Sequence, residues 1–258
     1  MSTWRNELMS KRNSFHAKNA LVDILNRATQ AQSCGEKTLA VFDLDSTLFD
    51  VTPRIRKILH NFARDPDHIK KFPESCTALM EVEVLRTDWG IRDALIRAGL
   101  DGHHPEFQLT IKNYWKKHFF SNEYLEYDTL YDGAQEYVQA LYEREVDIAY
   151  LTGRDVERMG VGTEKVMHKW KFPLHPVRAQ LVLKPRQKMD DAKFKSNYFA
   201  AIPDGKYEII WLFENEPANI HLVRKEHTHV EAVFFDSTHS GQHEAPVDLP
   251  TIMHYLLD

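Results

Sequence analysis

Cysteine is almost missing from this chain: Cys34 and Cys76 are its two, far apart and in no metal-ligand spacing. That sparsity excludes a disulfide framework and a cysteine-built zinc site, and it fits a reducing compartment. No apolar run is long enough to cross a bilayer, and Met1 to Ser14 is polar and charged with no apolar h-region, so a cytoplasmic location is the expectation. Neither sign of charge dominates. A formal net charge of −5 gives no general pull toward nucleic acid or an anionic membrane, so a polyanion partner would need a local basic patch. Internal repeats and low-complexity segments are lacking as well. What remains is 258 residues, 43% hydrophobic and 28% charged, enough for one large core or a core with a smaller appendage.

The apolar pattern supplies the organisation. Leu21, Ile24, Leu25 and Ala28 follow helical spacing within Phe15 to Ala31, an amphipathic helix ahead of the first strand. Leu39-Ala40-Val41-Phe42, preceded by Gly35-Glu36-Lys37, reads as a buried parallel strand. From Val51-Thr52-Pro53 to about Asp128 the periodicity is helical with charged faces. Pieces are expected at Arg54 to Arg64, around Ala78 to Arg86, at Ile91 to Ala98 with Gly99 as the stop, and at Thr110 to Phe120. Tyr114, Trp115, Phe119, Phe120, Tyr124 and Tyr127 crowd the end of this insertion and read as its own core more than as a base-stacking platform. Its basic residues, among them Arg54, Arg56, Lys57, Lys70, Lys71, Lys116 and Lys117, read mainly as a solvated face. Beyond it, strands at Val146 to Leu151, Ala179 to Leu183, Tyr207 to Phe213 and Val230 to Phe235 alternate with helices at Ala134 to Arg144, Val156 to Trp170 and Asp190 to Ala201. Strands separated by helices predict an α/β fold with a doubly wound, Rossmann-like parallel sheet.

The polar turns at the strand ends carry the chemistry. In open α/β sheets ligands bind at the carboxyl ends of the strands. Asp43 and Asp45 fall there, with Ser46 and Thr47 beside them: a nucleophile, a second acid/base group and hydroxyl donors in one small volume. The same carboxylates are hard oxygen ligands suited to Mg²⁺. Thr152-Gly153-Arg154-Asp155 forms a second polar turn and Glu214-Asn215-Glu216-Pro217 a third. The histidine pairs His103-His104, His227 with His229, and His239 with His243 have no cysteine or acidic framework around them and read as solvated loop residues.

With these motifs in order, the chain resembles the haloacid dehalogenase superfamily of phosphohydrolases. Asp43-Leu44-Asp45-Ser46-Thr47 matches the first motif, Thr152-Gly153-Arg154 the second, a lysine ahead of the fourth strand the third, and Glu214-Asn215-Glu216 the fourth. The resemblance spans about Leu39 to Asp236. It implies a HAD-like core of residues 1–51 and 129–258 with a helical cap at 52–128. It implies further that Asp43 attacks phosphorus to form an aspartyl phosphate, while Asp45 protonates the leaving oxygen and then activates water. Thr152 and the lysine would clamp the phosphoryl oxygens. Ser46, Thr47, Gly153 and Arg154 would bind substrate, and Asp43, Asp45 and Glu214 would hold Mg²⁺. The presence of Asp45 favours phosphate-ester hydrolysis over the family's carbon–halogen chemistry.

Two matches leave alternatives open. Lys195 is the first choice for the third motif, then Lys184, with Lys193 beside them. In the fourth motif Glu214 stands where aspartate is commonest, and Asn219 replaces the second acidic residue, which lowers the charge around a metal. The expected activity is Mg²⁺-dependent hydrolysis of a phosphate monoester, on a small phosphorylated metabolite. A polynucleotide 3′-phosphate is the alternative substrate, since Asp155 and Arg158 follow the second motif in a manner similar to the superfamily's polynucleotide 3′-phosphatase domains. A catalytically weak binding protein on the same fold is the non-enzyme alternative.

Overall fold

The computed structural model describes residues 20–102 and 104–257. The opening segment Met1 to Ser14, the first turn of the helix expected from Phe15, and His103 lie outside the described residues. A helix over 20–34 (α1) precedes strand β1, Thr38–Phe42, and a two-residue strand β2, Phe49–Asp50. The insertion follows as α2 (Thr52–Arg64), α3 (Pro66–Lys71), α4 (Pro73–Met80), α5 (Arg92–Arg97) and α6 (Pro105–Phe119). The core resumes with β3 (Thr129–Leu130), α7 (Ala134–Glu143), β4 (Asp147–Asp155), α8 (Val156–Lys169), β5 (Ala179–Lys184) and α9 (Asp191–Ala200). It closes with β6 (Ile209–Glu214), α10 (Pro217–Glu226), β7 (Val230–Phe235) and β8 (Thr251–Ile252).

Six strands form one parallel sheet in the order β5-β4-β1-β6-β7-β8, with β1 between β4 and β6. Every residue of β1 is buried, as expected of a strand covered on both faces. Alternation along the strands divides the core. Ala40, Phe42, Ile148, Tyr150, Trp211 and Phe213 pack with α1, α7 and α8, whereas Leu39, Val41, Ala149, Leu151, Ile210 and Leu212 pack with Phe199 of α9 and Val223 of α10. Helices on both faces make the sheet doubly wound. None of the helices among the described residues is long and apolar enough to cross a membrane.

The insertion has its own apolar cluster, built on Ile55, Leu59, Phe62, Phe72, Leu79, Leu95, Phe107 and Ile111. Most of its aromatics serve packing: Tyr114 meets the Phe62 ring edge-on at 5.3 Å. Several elements differ from the sequence expectation. The segment expected to be helical around Ala78 to Arg86 leaves the helix at Met80, where the Glu81 and Val82 amides bond back three residues to Ala78 and Leu79, and the chain turns again at Leu85, whose amide donates to Asp88 at 2.9 Å. Helix α6 starts at Pro105 rather than near Thr110, with proline in its first turn, where no donor is lost. Thr152 to Asp155, expected as a turn after β4, continues the strand. The register with β5 shifts between Thr152 and Asp155, a bulge that bends the strand where it meets the cavity. Strands β2 and β3 pair antiparallel where the chain leaves and re-enters the core, and neither they nor β8 were visible as periodic runs.

Candidate active site

Parallel order brings the ends of β1, β4 and β6 to one edge of the sheet. A cavity of about 570 Å³ opens there, lined from the core by Asp43, Asp45, Thr152, Lys195, Glu214 and Asn219, and by residues of the insertion opposite. Asp43 continues the β1 ladder, its amide donating to the Phe213 carbonyl at 3.0 Å. The chain then turns sharply. Ser46 takes φ +63°, a left-handed conformation costly for a residue with a Cβ, and it is held by its amide donating to the Phe49 carbonyl and by Ser237 Oγ donating to its own carbonyl at 2.6 Å. The Thr47 hydroxyl lies 3.3 Å from Asp43 Oδ2 and 3.2 Å from Asn215 Oδ1, so its single proton serves one of them at a time.

Of the three candidate lysines, Lys195 reaches Asp43. It sits on the buried side of α9 with Ser196 and Phe199, and its ammonium bridges Asp43 Oδ1 and Glu214 Oε2, each at 2.5 Å. Burial alone would lower its pKa, but Asp43 and Glu214 together hold it well above the usual lysine value. Lys184 lines the cavity with its ammonium on Asp191, and Lys193 is exposed. The Asp191 carboxylate lies so close to Gly153 that a Cβ there would stand 2.8 Å from Oδ2, so a side chain at this position of the second motif would push the half-exposed Asp191 aside and disturb its contact with Lys184. Glu214 is fully buried, and its Oε1 accepts the amides of Asn215 and Glu216 at 3.1 and 3.0 Å. Burial pushes the Asp43 carboxyl up to about 7, with Lys195 opposing and Glu214 adding to the rise.

Asp45 faces a different set of partners. Its Oδ1 accepts from Arg54 and Arg154, both at 2.6 Å, and Arg154 Nε approaches both its oxygens at 3.2 Å. Arg154, expected at the substrate, lines the cavity with its guanidinium on Asp45 and, at 2.7 Å, on Asp128. Burial favours the neutral acid, yet the two guanidiniums overcome it and hold the Asp45 carboxyl well below the usual carboxylate range. Asp128 touches the same arginines and moves the other way, up to about 6 through burial. The contrast has a geometric cause. The Asp128 side chain is wholly buried, and its Oδ1, though 3.0 Å from Arg54 Nε, receives no aligned hydrogen bond, whereas the part-exposed Asp45 receives several. Thr152 Oγ1 accepts the Arg154 amide at 3.2 Å and lines the cavity.

Arg54 and Asp128 are the site residues that sequence reasoning missed. Arg54 was placed on a solvated basic face, yet its side chain is 0% exposed. A signal existed: Arg54, Ile58 and Phe62 are spaced by four and share the buried stripe of α2. Asp155 caps α8 by accepting the Arg158 amide at 2.9 Å and also holds the Arg158 guanidinium. Among the described residues no histidine lines the cavity.

Donor chemistry decides whether Mg²⁺ fits. Asp43 and Glu214 present hard anionic oxygens close enough for one ammonium to bridge, and around them four carboxylates (Asp43, Asp45, Asp128, Glu214) face three cations (Arg54, Arg154, Lys195). That surplus of negative charge suits a small divalent cation held by Asp43 and Glu214. The Asp45 carboxylate is committed to the arginines, which leaves its backbone carbonyl as that residue's donor. No cluster of three or more His, Cys, Asp or Glu side chains is gathered for a metal among the described residues, so the remaining ligands would be carbonyl, water and phosphate oxygens.

A family model described as haloacid dehalogenase-like hydrolase matches residues 37–172, more than half of the chain. The chain belongs to that family, and the strand-end carboxylates lie where its sheet gathers them. Among solved structures it is similar to a haloacid dehalogenase-superfamily hydrolase from Ehrlichia chaffeensis, at 12% identity over 85% of this chain and 93% of that one, with a TM-score of 0.47. It is also similar to a haloacid dehalogenase-like family protein from Streptococcus pneumoniae, at 10% identity over 77% and 84%, with a TM-score of 0.46. No curated protein matches the chain.

Proposed function

We propose that the protein is a Mg²⁺-dependent phosphohydrolase that cleaves small phosphate monoesters through an aspartyl-phosphate intermediate. The observation that carries this reading is the buried Lys195 ammonium joining Asp43 to Glu214 at the mouth of β1, with Asp45 next along the same turn. Bound between Asp43 and Glu214, the cation would neutralise charge on the transferring phosphoryl group. Asp43 attacks phosphorus as the carboxylate, the form that Lys195 and a bound cation favour against the burial that raises its pKa, and Lys195, the Thr152 hydroxyl and the amides after Asp43 stabilise the equatorial oxygens. Asp45 is ionised in this arrangement, the form that its second task of taking a proton from the hydrolytic water requires, while the two guanidiniums that hold its pKa down also weaken it as a base. For its first task a substrate bound as the monoanion brings the proton, since a phosphate monoester has its second pKa near 6 and is roughly half monoanion there. The proton passes through Asp45 to the leaving oxygen, and the ester P–O bond breaks as the Asp43–phosphorus bond forms.

Residues 52–128 act in this reading as a lid, supported by their separate apolar cluster and by the insertion residues that wall the cavity. The sparse cysteine supports a cytoplasmic setting. A polynucleotide 3′-phosphate is less favoured, because Arg158 is bound to Asp155 and Arg154 to Asp45 and Asp128. The convergence of Asp43, Lys195 and Glu214 argues against a bare binding scaffold.

The test is phosphate release from p-nitrophenyl phosphate and a panel of phosphorylated metabolites, with and without Mg²⁺. Release should require Mg²⁺ and stop on addition of EDTA; indifference to the chelator overturns the metal assignment, and no release from any monoester overturns the reading. Substitution of Glu214 by glutamine keeps the shape and the acceptor for the two backbone amides but removes the charge. Glu214→Gln is expected to raise the Mg²⁺ concentration for half-maximal activity by roughly tenfold or more. An unchanged titration would place the metal elsewhere.

A further inference from the structure

The acid that protonates a leaving group marks which side of the cavity that group occupies. Asp45 is that residue in the phosphohydrolase reading, on which this inference rests. Its partner Arg54 bonds it at 2.6 Å, and the same guanidinium lies over the Phe119 ring at 4.0 Å. Phe119 meets Phe120 at 5.0 Å and Trp115 at 5.2 Å between ring centroids. An aromatic wall therefore begins one guanidinium away from the acid. Trp115, Phe119, Phe120 and Trp89 all line the cavity.

Trp89 distinguishes this wall from ordinary core packing. It is 53% exposed and belongs to none of the four apolar clusters among the described residues, although it faces the same cavity as the catalytic carboxylates. Its neighbour Gly90 takes φ +70° with its Cβ position 3.5 Å from the Trp115 ring, so the loop that carries Trp89 is seated on the wall. Charge on this side is already neutralised within the protein. Both oxygens of Asp88 are taken by Arg97, and Arg158, which lies over Phe120 at 5.3 Å, is taken by Asp155. A sugar or polyol would find little there to replace its lost water, whereas a flat apolar ring would find partners on its face and edge. At about 570 Å³ the cavity has room for such a ring together with a phosphate.

We infer that the site is built for phosphate monoesters whose leaving group carries a planar, apolar aryl ring, stacked against Trp89 and the Trp115–Phe119–Phe120 wall. Binding of non-hydrolysable phosphonates tests this apart from turnover. With Mg²⁺ present, calorimetry on the full chain should give 3-phenylpropylphosphonate a Kd at least about tenfold below that of propylphosphonate. 3-Cyclohexylpropylphosphonate, equally apolar but not flat, should bind more weakly than the phenyl compound. In Trp89→Ala, a substitution at an exposed position, the phenyl-to-propyl ratio should collapse toward one. Equal affinities, no binding of either compound, a cyclohexyl ligand as tight as the phenyl one, or a ratio that survives Trp89→Ala each overturns the inference. Failure to release phosphate from any monoester would strike the phosphohydrolase reading instead, and the phosphonate ratio would still decide this one.

Discussion

Asp43→Asn is expected to lower phosphate release on the order of 10⁴-fold or more while leaving the protein folded. The rate follows from the role: the amide oxygen keeps the shape of the carboxylate but is a poor nucleophile, and it cannot form the intermediate. Folding follows from the electrostatics. The Asp43 carboxyl is pushed up to about 7, so the folded chain binds its proton more tightly than the unfolded chain does. Such a group costs stability as pH rises from the ordinary carboxylate range through 7, and above 7 the whole penalty is present. Asparagine has no charge to bury, and Lys195 keeps its contact with Glu214 at 2.5 Å. Measured in EDTA at pH 8, the variant should therefore melt no lower than the wild type, and its melting temperature should vary less between pH 4 and pH 8, the window bounded by the two pKa values. Phosphate release at the wild-type rate would remove Asp43 from the chemistry. A large fall in melting temperature would show that the residue holds the fold.

The parts of this site that could be read from the sequence sit where local pattern and tertiary position coincide. A parallel strand buried on both faces must be apolar along its length, so Leu39 to Phe42 announces itself and fixes Asp43 at its carboxyl end. Glu214 follows from β6 in the same way. Lys195 was harder, because three lysines surround one strand–helix junction. They separate by environment: Lys195 is buried one turn before Phe199 on α9, Lys193 is on the exposed face, and Lys184 is paired with Asp191. Arg54 was misread because a basic residue in a charged helix is ordinarily solvated, and its buried partners Asp45 and Asp128 come from distant points in the chain. Strands β2, β3 and β8 have two residues each, too few for any period to show.

The group around Arg54 carries the other large effect. Arg54→Met is expected to destabilise the protein by about 3 kcal/mol, the cost of leaving a buried charge without its partner. Arg54, Arg154 and Asp128 have wholly buried side chains, and with Asp45 they make a balanced set of two cations and two anions. Losing Arg54 leaves both carboxylates to Arg154. Asp128→Asn should cost less, because burial already pushes that carboxyl up to about 6 and asparagine keeps an acceptor for Arg154. The double variant removes one charge of each sign. It should be more stable than the two single losses predict, with a coupling of about 1–3 kcal/mol by denaturant unfolding.

Acid adds a separate check on the same variants. Asp45 is depressed, so its contribution is present above the ordinary carboxylate range and is lost as pH falls through its lowered folded value; Arg54→Met should shift that loss to higher pH. Asp128 is raised, so it costs stability as pH climbs through about 6, and Asp128→Asn should flatten that limb alone. Because Arg54 also orients Asp45, Arg54→Met should lower kcat by on the order of 10²-fold with less change in KM, the pattern of a positioning residue. Additive losses of Arg54→Met and Asp128→Asn would show that Arg54 is not coupled to Asp128, and a KM effect that outweighs kcat would show that Arg54 does not act through Asp45.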